Sequence, residues 1–281
     1  MTDGVNVTKH SVAVIGAGKL GELVLSGLLR SGWPVSQLLA TTRRPERATE
    51  LAERYGIRPV LNLTAITQAD VLLIAVKPQD AAKLLDDFGM KVPPGKLVVS
   101  LCAGLPTSFF AERLPGGIPV VRVMTNTPAL VDQAMTVISP GPYATEEHLA
   151  LTEEIFKPVG KTMRVPESQQ DAVTALSGSG PAYFYLLVEA MIDAGILLGL
   201  PRQVAHELIV QTAIGSAVML RDSGEHPVKL REAVTSPAGT TISAIRKLEE
   251  HGVRAAFLSA LEAARDRAAE IASQMSRPKS E

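Results

Sequence analysis

Two short runs in this chain carry residue types that chemistry needs. The first is Gly16-Ala17-Gly18-Lys19-Leu20-Gly21. In such a GxGxxG run the first glycine suits a tight turn and the second lets backbone approach a pyrophosphate. The third lets a helix pack closely on a strand. The helix opening there offers free N–H groups and a partial positive charge to phosphates. Alone the pattern is weak. Here it follows the apolar run Val12–Ile15 and precedes a helical pattern, the context that dinucleotide binding requires. The second run is Val234-Thr235-Ser236-Pro237-Ala238-Gly239-Thr240-Thr241, opening a helix with Ile242, Ile245 and Leu248 on one face. Ser236 can cap, Pro237 suits the first turn, and the small residues leave N–H groups open to a carboxylate. An ordinary capped helix start explains the same spacing equally well.

The second-strand segment bears on which dinucleotide is held. It reads Ala40-Thr41-Thr42-Arg43-Arg44-Pro45, with no acid before Glu46. An NAD site usually places Asp or Glu there for the ribose hydroxyls. Hydroxyls beside two guanidiniums suit a 2′-phosphate instead, so NADPH is expected, with NADH as the alternative. A solvated loop with two surface arginines is the plain reading. Three further segments end strands: Ala75-Val76-Lys77-Pro78, Leu101-Cys102-Ala103-Gly104 and Met124-Thr125-Asn126-Thr127-Pro128. Strand carboxyl ends line the ligand crevice of an open α/β sheet. Lys77 is expected beside the cofactor, Cys102 is a small wall residue, and Asn126 offers an amide to a nicotinamide, although turn chemistry explains that segment nearly as well. The cluster Leu176-Ser177-Gly178-Ser179-Gly180-Pro181 has Ser177 where a hydrolase elbow needs glycine. It reads as a helix break with exposed N–H groups, restarted at Pro181. The five histidines (10, 148, 206, 226 and 251) show no metal-ligand spacing, so no metal is expected.

These groups need elements to position them. Strands are expected over Val12–Ile15, Leu38–Thr42, Val71–Val76, Leu97–Leu101, Val120–Met124, Met135–Ser139 and Thr162–Val165, with helices such as Leu20–Arg30, Pro45–Tyr55 and Gln79–Phe88 between them. That alternation implies βαβ units and a doubly wound, mostly parallel sheet over residues 11–166. The unbroken run VLLIAV suits a strand covered on both faces. Residues 167–275 read as all-helical: Asp171–Leu176, Ala182–Leu198, Pro201–Arg221, Val228–Val234, Thr241–Glu250 and Val253–Ser273. The last places Phe257, Leu261, Ala264, Ala268 and Ile271 on a narrow apolar seam suited to another helix.

Composition bounds the rest. Lysine plus arginine number 28 and aspartate plus glutamate 29, a net charge of −1 over 281 residues. No basic excess speaks for a nucleic-acid partner. Hydrophobic residues at 46% and charged residues at 20% exclude a disordered chain. A single cysteine rules out an intrachain disulfide and favours the cytoplasm. The first ten residues are polar, without the apolar core of a signal peptide, and residues 276–281 read as a frayed tail. Only Pro181–Leu200 could pass as a membrane span, and it carries Glu189 and Asp193. Each acid would cost about 2.5–3.5 kcal/mol at a bilayer centre, so a buried helix of a soluble domain is expected.

Together these motifs resemble the pyrroline-5-carboxylate reductases over nearly the whole chain. The resemblance lies in GAGKLG at Gly16–Gly21, AVKP at Ala75–Pro78, VVSLCAG at Val98–Gly104, MTNTP at Met124–Pro128, LSGSGPAY at Leu176–Tyr183, GLP at Gly199–Pro201 and, most specifically, TSPAGTTISAIRKLE at Thr235–Glu249. It implies an N-terminal Rossmann domain and a C-terminal all-α domain that dimerises by interleaving helices, a homodimer open to larger assembly. It also implies NADPH-dependent reduction of a cyclic imine to L-proline, the last step of proline biosynthesis. By the same resemblance, cofactor contacts fall on Gly16 to Gly21, Thr42, Asn62, Ala75 to Pro78, and Leu101, Cys102 and Ala103. Substrate contacts fall on Glu167, Ser236, Gly239, Thr240 and Thr241, with Thr241 against the ring nitrogen, and the catalytic positions are Thr241 and Ser236. A family asparagine near the signature is Ala233 here, and the second-strand loop varies among members. A β-hydroxyacid dehydrogenase shares the general layout but relies on a linker-helix lysine, and 172–198 contains none. A non-catalytic NADP-binding protein is the third reading.

Overall fold

The computed structural model describes residues 10–276. The polar stretch before residue 10 and the expected tail after 276 lie outside the described residues. Seven strands form one sheet: β1 (Val12–Ile15), β2 (Leu38–Thr41), β3 (Val71–Ile74), β4 (Leu97–Ser100), β5 (Val120–Met124), β6 (Ala134–Pro140) and β7 (Gly160–Arg164). Their order is β2-β1-β3-β4-β5-β6-β7. Val12 pairs with Leu38 on one side and Val71 on the other. All neighbours run parallel except β5 and β6, where Arg122 stands opposite Ser139 in an antiparallel pair. Residues 125–133, which contain the short turn Thr127–Val131, separate these two strands, and a parallel crossover needs a dozen or more residues.

Side chains alternate across the sheet, so each strand feeds two cores. Val12, Val14, Val71, Leu73, Val121 and Val123 pack on one face with α1 (Lys19–Arg30) and α6 (Glu146–Phe156). Ala13, Ile15, Leu72, Ile74, Val98 and Val120 pack on the other with α3 (Asn62–Gln68), α4 (Pro78–Phe88) and α5 (Thr107–Ala111). The helix α2 (Pro45–Tyr55) starts with proline at a first-turn position and ends at Gly56 in the left-handed region. Three of these helices, α3, α5 and α6, go beyond the elements expected. Both α3 and α5 are short, and α6 is started by a capping box in which His148, rather than Glu or Gln, reaches back to Thr145.

The chain forms two compact units. The first contains residues up to 179 together with those from 264 onward, and the second is Gly180–Ala263. The sheet unit therefore extends past the boundary expected at residue 166. Residues 167–171 are held to the sheet by polar bonds, and Ile271, on the last helix, packs against Gly104.

Helix α7 (Gln170–Val173) runs into a π-turn, Thr174–Gly178, and then into α8 (Gly180–Leu197). The expected break at Ser177–Pro181 is thus corrected: the backbone stays helical, with Ser179 N–H donating to Thr174 O. A one-residue bulge absorbs Pro181, which has no N–H to give the Ser177 carbonyl.

In the second unit, α8 is followed by α9 (Arg202–Asp222), α10 (Pro227–Ala233), α11 (Thr240–Glu250) and the first part of α12 (Val253–Ser276). The expectation of a buried α8 is also corrected for the single chain. Only Gly180 and Ile192 are buried along it, and Leu197 is 88% exposed. A helix apolar on most sides needs covering surface beyond what one α9 can supply. By length and composition, 167–197 would suffice to cross a membrane. Asp193 on this helix pairs with Arg202 at 3.2 Å. On α12, Leu261, Ala264, Ala268 and Ile271 form the less exposed side, as the seam predicts, whereas Phe257 is exposed.

Candidate active site

The loops after β1, β2, β3 and β4 leave the sheet at one edge, because these four strands are parallel. That edge gathers Gly16–Gly21, Thr42–Arg44, Ala75–Pro78 and Leu101–Ala103. Strand order reverses around β1 and β3, the switch point where open α/β sheets bind ligands.

The glycines fit their expected tasks. Gly16 has φ +85°, and a Cβ there would lie 2.4 Å from Val76 Cγ1. At Gly21 a Cβ would lie 2.6 Å from Val14 Cγ1, so the start of α1 sits hard against β1. A Cβ on Gly18 would meet nothing within 4 Å, which leaves open space over the helix start. Glu22 makes the first intrahelical bond, to Gly18 O. The N–H groups of Lys19, Leu20 and Gly21 precede it and carry the positive end of the helix dipole. An open cradle lined by helix-start donors fits a pyrophosphate.

The loop is held from behind by β2 and α2. Gly16 N–H donates to Thr41 Oγ1 at 3.1 Å, and Ala17 N–H donates to Thr41 O at 2.8 Å. Arg47, only 12% exposed, donates from Nε to Ala17 O at 3.0 Å and from Nη2 to Glu22 Oε2 at 2.5 Å. Arg54 and Tyr55 bond the other oxygen of Glu22. Burial raises the Glu22 carboxyl, but these bonds from Arg47, Tyr55 and Arg54 outweigh it and hold the group below the ordinary carboxylate range. Arg47 lies outside every motif of the sequence. Its only signal is an arginine three residues beyond Arg44, and its contacts depend on α2 folding back over α1.

Thr42 Oγ1 accepts Arg44 N–H at 3.3 Å, shaping the turn after β2. Arg43 and Arg44 are both exposed. Asn62 opens α3 and is half-buried. Lys77 is the exposed N-cap of α4, followed by Pro78. Leu101 and Cys102 are buried, and Ala103 is exposed. Burial pushes the Cys102 thiol up to about 12, so the wall role suits it and a nucleophilic one does not.

Asn126 has a task inside the fold. Its Nδ2 donates to Ser177 O at 3.0 Å, and its Oδ1 accepts Met135 N–H at 3.1 Å. The second N–H of the amide and the second lone pair of Oδ1 are left for a ligand. Next to it, a Cβ on Gly178 would lie 2.3 Å from Met124 Cε, so the end of β5 and the π-turn are in close contact.

Glu167 is similarly engaged. Its carboxylate accepts Thr107 N–H at 2.7 Å and the Thr107 hydroxyl at 2.6 Å, with Arg122 Nη1 at 3.5 Å. Arg122, 7% exposed within β5, also reaches Asp171 at 3.3 Å. Gln170, fully buried, donates to Ser139 Oγ at 2.8 Å. A buried arginine among apolar strands needs such partners.

The other proposed substrate contacts lie in the second unit. Gly239 is the N-cap of α11 and makes no side-chain cap bond. The first intrahelical donor is Ser243, leaving the N–H groups of Thr240, Thr241 and Ile242 ahead of it. Ser236 Oγ lies over Gly239, where a Cβ would come within 2.3 Å of it. Ala238 holds φ +56°, a conformation unusual for a residue with a Cβ. Thr241 is half-buried and Ser236 exposed. Two histidines serve local turns, His148 accepting Thr145 N–H and His226 accepting Val228 N–H.

A mostly parallel sheet, a glycine loop opening a helix and a helical C-terminal region define a Rossmann-type oxidoreductase. Residues 11–104 match the family model described as NADP oxidoreductase coenzyme F420-dependent, and residues 167–271 match that described as pyrroline-5-carboxylate reductase dimerisation. The chain is 42% identical over 268 residues to the pyrroline-5-carboxylate reductase of Corynebacterium melassecola, covering 93% of this chain and 98% of that one. It is 41% identical over 264 residues to the enzyme of Methanosarcina acetivorans, with the same coverage. A solved pyrroline-5-carboxylate reductase from Coxiella burnetii superposes with a TM-score of 0.88 at 32% identity, covering 93% of this chain and 98% of that one. The Plasmodium falciparum pyrroline carboxylate reductase solved with NADP bound gives 0.85 at 26%, covering 94% and 99%. The chain belongs to the pyrroline-5-carboxylate reductase family.

Proposed function

We propose that this enzyme reduces 1-pyrroline-5-carboxylate to L-proline with NADPH, acting in the cytoplasm as a homodimer. Identity near 40% over 93% of this chain and 98% of each named reductase carries the reaction. NADPH supplies a hydride to the imine carbon. The first-turn N–H groups of α1 hold its pyrophosphate, and Thr42, Arg43 and Arg44 hold the 2′-phosphate. The absence of an acid before Glu46 and the NADP bound to the Plasmodium relative support that choice over NADH. Asn62, Ala75–Pro78 and Leu101–Ala103 complete the cofactor wall.

The substrate carries a carboxylate and a ring nitrogen. The α11 start, with Ser236, Gly239 and Thr240, takes the carboxylate through open N–H groups and the helix dipole. Thr241 holds the nitrogen through its hydroxyl. The protonated imine is the better electrophile, and its charge disappears on reduction, so a neutral holder suffices and no strong acid is needed. Positioning two bound reactants and excluding water supply most of the acceleration. Glu167 ties Thr107 and Arg122 to the root of the helix that follows the sheet. Exposed Phe184, Leu187, Leu197, Leu198 and Leu208 favour a second copy as the cover of α8 and α9, in keeping with the dimerisation match.

The test follows NADPH absorbance with pyrroline-5-carboxylate, and separately NADP reduction with a 3-hydroxy acid. Oxidation of NADPH by the imine alone is expected. Turnover of the hydroxy acid alone would favour a β-hydroxyacid dehydrogenase.

A further inference from the structure

We infer that Asp80 sets how strongly this enzyme prefers a 2′-phosphorylated cofactor, by holding Arg43 in an ion pair that the phosphate must displace. The inference rests on the NADPH reading above. Strands β2 and β3 flank β1 and run parallel to it, so the turn after β2 and the first turn of α4 open at the same edge as the glycine loop. Across that edge Arg43 Nη2 donates to Asp80 Oδ2 at 3.0 Å. The arginine side chain is 80% exposed and the aspartate 36%, so the pair stands at the surface, where a ligand can reach it.

Asp80 is settled where it is without any cofactor. It lies in the first turn of α4, where the helix dipole favours a negative charge. A phosphate approaching Arg43 therefore meets a carboxylate already on the guanidinium. It must part the pair, and it then sits beside a like charge. A ribose with a free 2′-hydroxyl meets neither penalty and can donate a hydrogen bond to the same carboxylate. Asp80 thus narrows the gap between the two cofactors, and Arg43 widens it. Exposed ion pairs are weak, so the effect on affinity is about two- to fivefold.

Calorimetric titration of NADP+ and NAD+ into the wild-type enzyme, Asp80→Asn, Arg43→Ala and the double variant tests this, with thermal melting confirming that each is folded. Asp80→Asn is expected to tighten NADP+ about two- to fivefold while leaving NAD+ unchanged or weaker. Arg43→Ala is expected to weaken NADP+ alone, and in its background Asp80→Asn should lose most of its gain. Unchanged NADP+ affinity in Asp80→Asn, or an equal shift for both cofactors, would overturn the inference while leaving the NADPH reading intact. A full gain persisting without Arg43 would overturn the displaced pair in favour of direct repulsion. If Arg43→Ala shifts both cofactors equally, the 2′-phosphate reading itself fails, and the inference with it.

Discussion

Arg47 Nε donates to the carbonyl of Ala17 at 3.0 Å, so α2 grips the glycine loop from the side away from its open donors. The same guanidinium meets Glu22 and Glu50. It fixes the carbonyl and neutralises Glu22, an acid in the first turn of α1. Arg47→Ala is expected to raise KM for NADPH and NADH alike, by about tenfold, with kcat little changed. Charge-assisted bonds of this kind are worth about 1.5–3 kcal/mol, most of it felt in loop geometry. Steady-state kinetics with both cofactors check it. A rise confined to NADPH would place Arg47 with the 2′-phosphate instead.

Glu22 gives the acid limb of stability a named contributor. Its carboxyl sits below the ordinary range in the folded chain, against burial, because Arg47, Tyr55 and Arg54 bond the ionised form. A depressed folded value contributes stability above the unfolded value, and loses it as pH falls through the folded one. Glu22→Gln should therefore lower the melting temperature at neutral pH and flatten its decline on acidification. Melting curves taken downward from pH 7 measure both.

Cys102 should resist modification. Its thiol is buried, bonds the Val76 carbonyl at 3.4 Å, and is pushed up to about 12 by burial. The thiolate is the reactive form, so a maleimide or iodoacetamide at pH 8 should label the native enzyme slowly and the urea-unfolded chain fully. Mass spectrometry of timed samples reads the difference.

Ala238 keeps its φ of +56° between Pro237 and Gly239. Left-handed backbone costs a residue with a Cβ about 1–2 kcal/mol, and glycine returns part of that as extra freedom in the unfolded chain. Ala238→Gly should raise stability by about 0.5–1 kcal/mol, measured by chemical denaturation. A loss of that size would mean that the alanine methyl makes contacts which outweigh the strain.

Much of this architecture can be read from residue order. All seven strands lie within a residue or two of the expected bounds. For β1, β3 and β4, apolar runs buried on both faces leave few alternatives, whereas β7 is half-exposed along its length. The antiparallel turn into β6 was not legible, since pairing direction depends on the connection rather than on the strand. Arg122 escapes apolar periodicity, which takes no account of one buried charge. Its partners Glu167 and Asp171 lie far along the chain. The family resemblance names Glu167, and a strand-end motif names Asn126, without their partners, and the fold uses both of them internally. The exposure of α8 was hidden for a simpler reason. Hydrophobicity says that a helix will be covered, without saying by which chain.

In the proposed reaction the α11 start grips the substrate while Thr241 holds its nitrogen. The most direct test is kcat for pyrroline-5-carboxylate in Thr241→Ala beside the wild type, with NADPH affinity measured on both. A fall of about a hundredfold in kcat with unchanged NADPH affinity is expected, the scale seen when a positioned donor is removed. An unchanged kcat would mean that Thr241 does not hold the ring nitrogen.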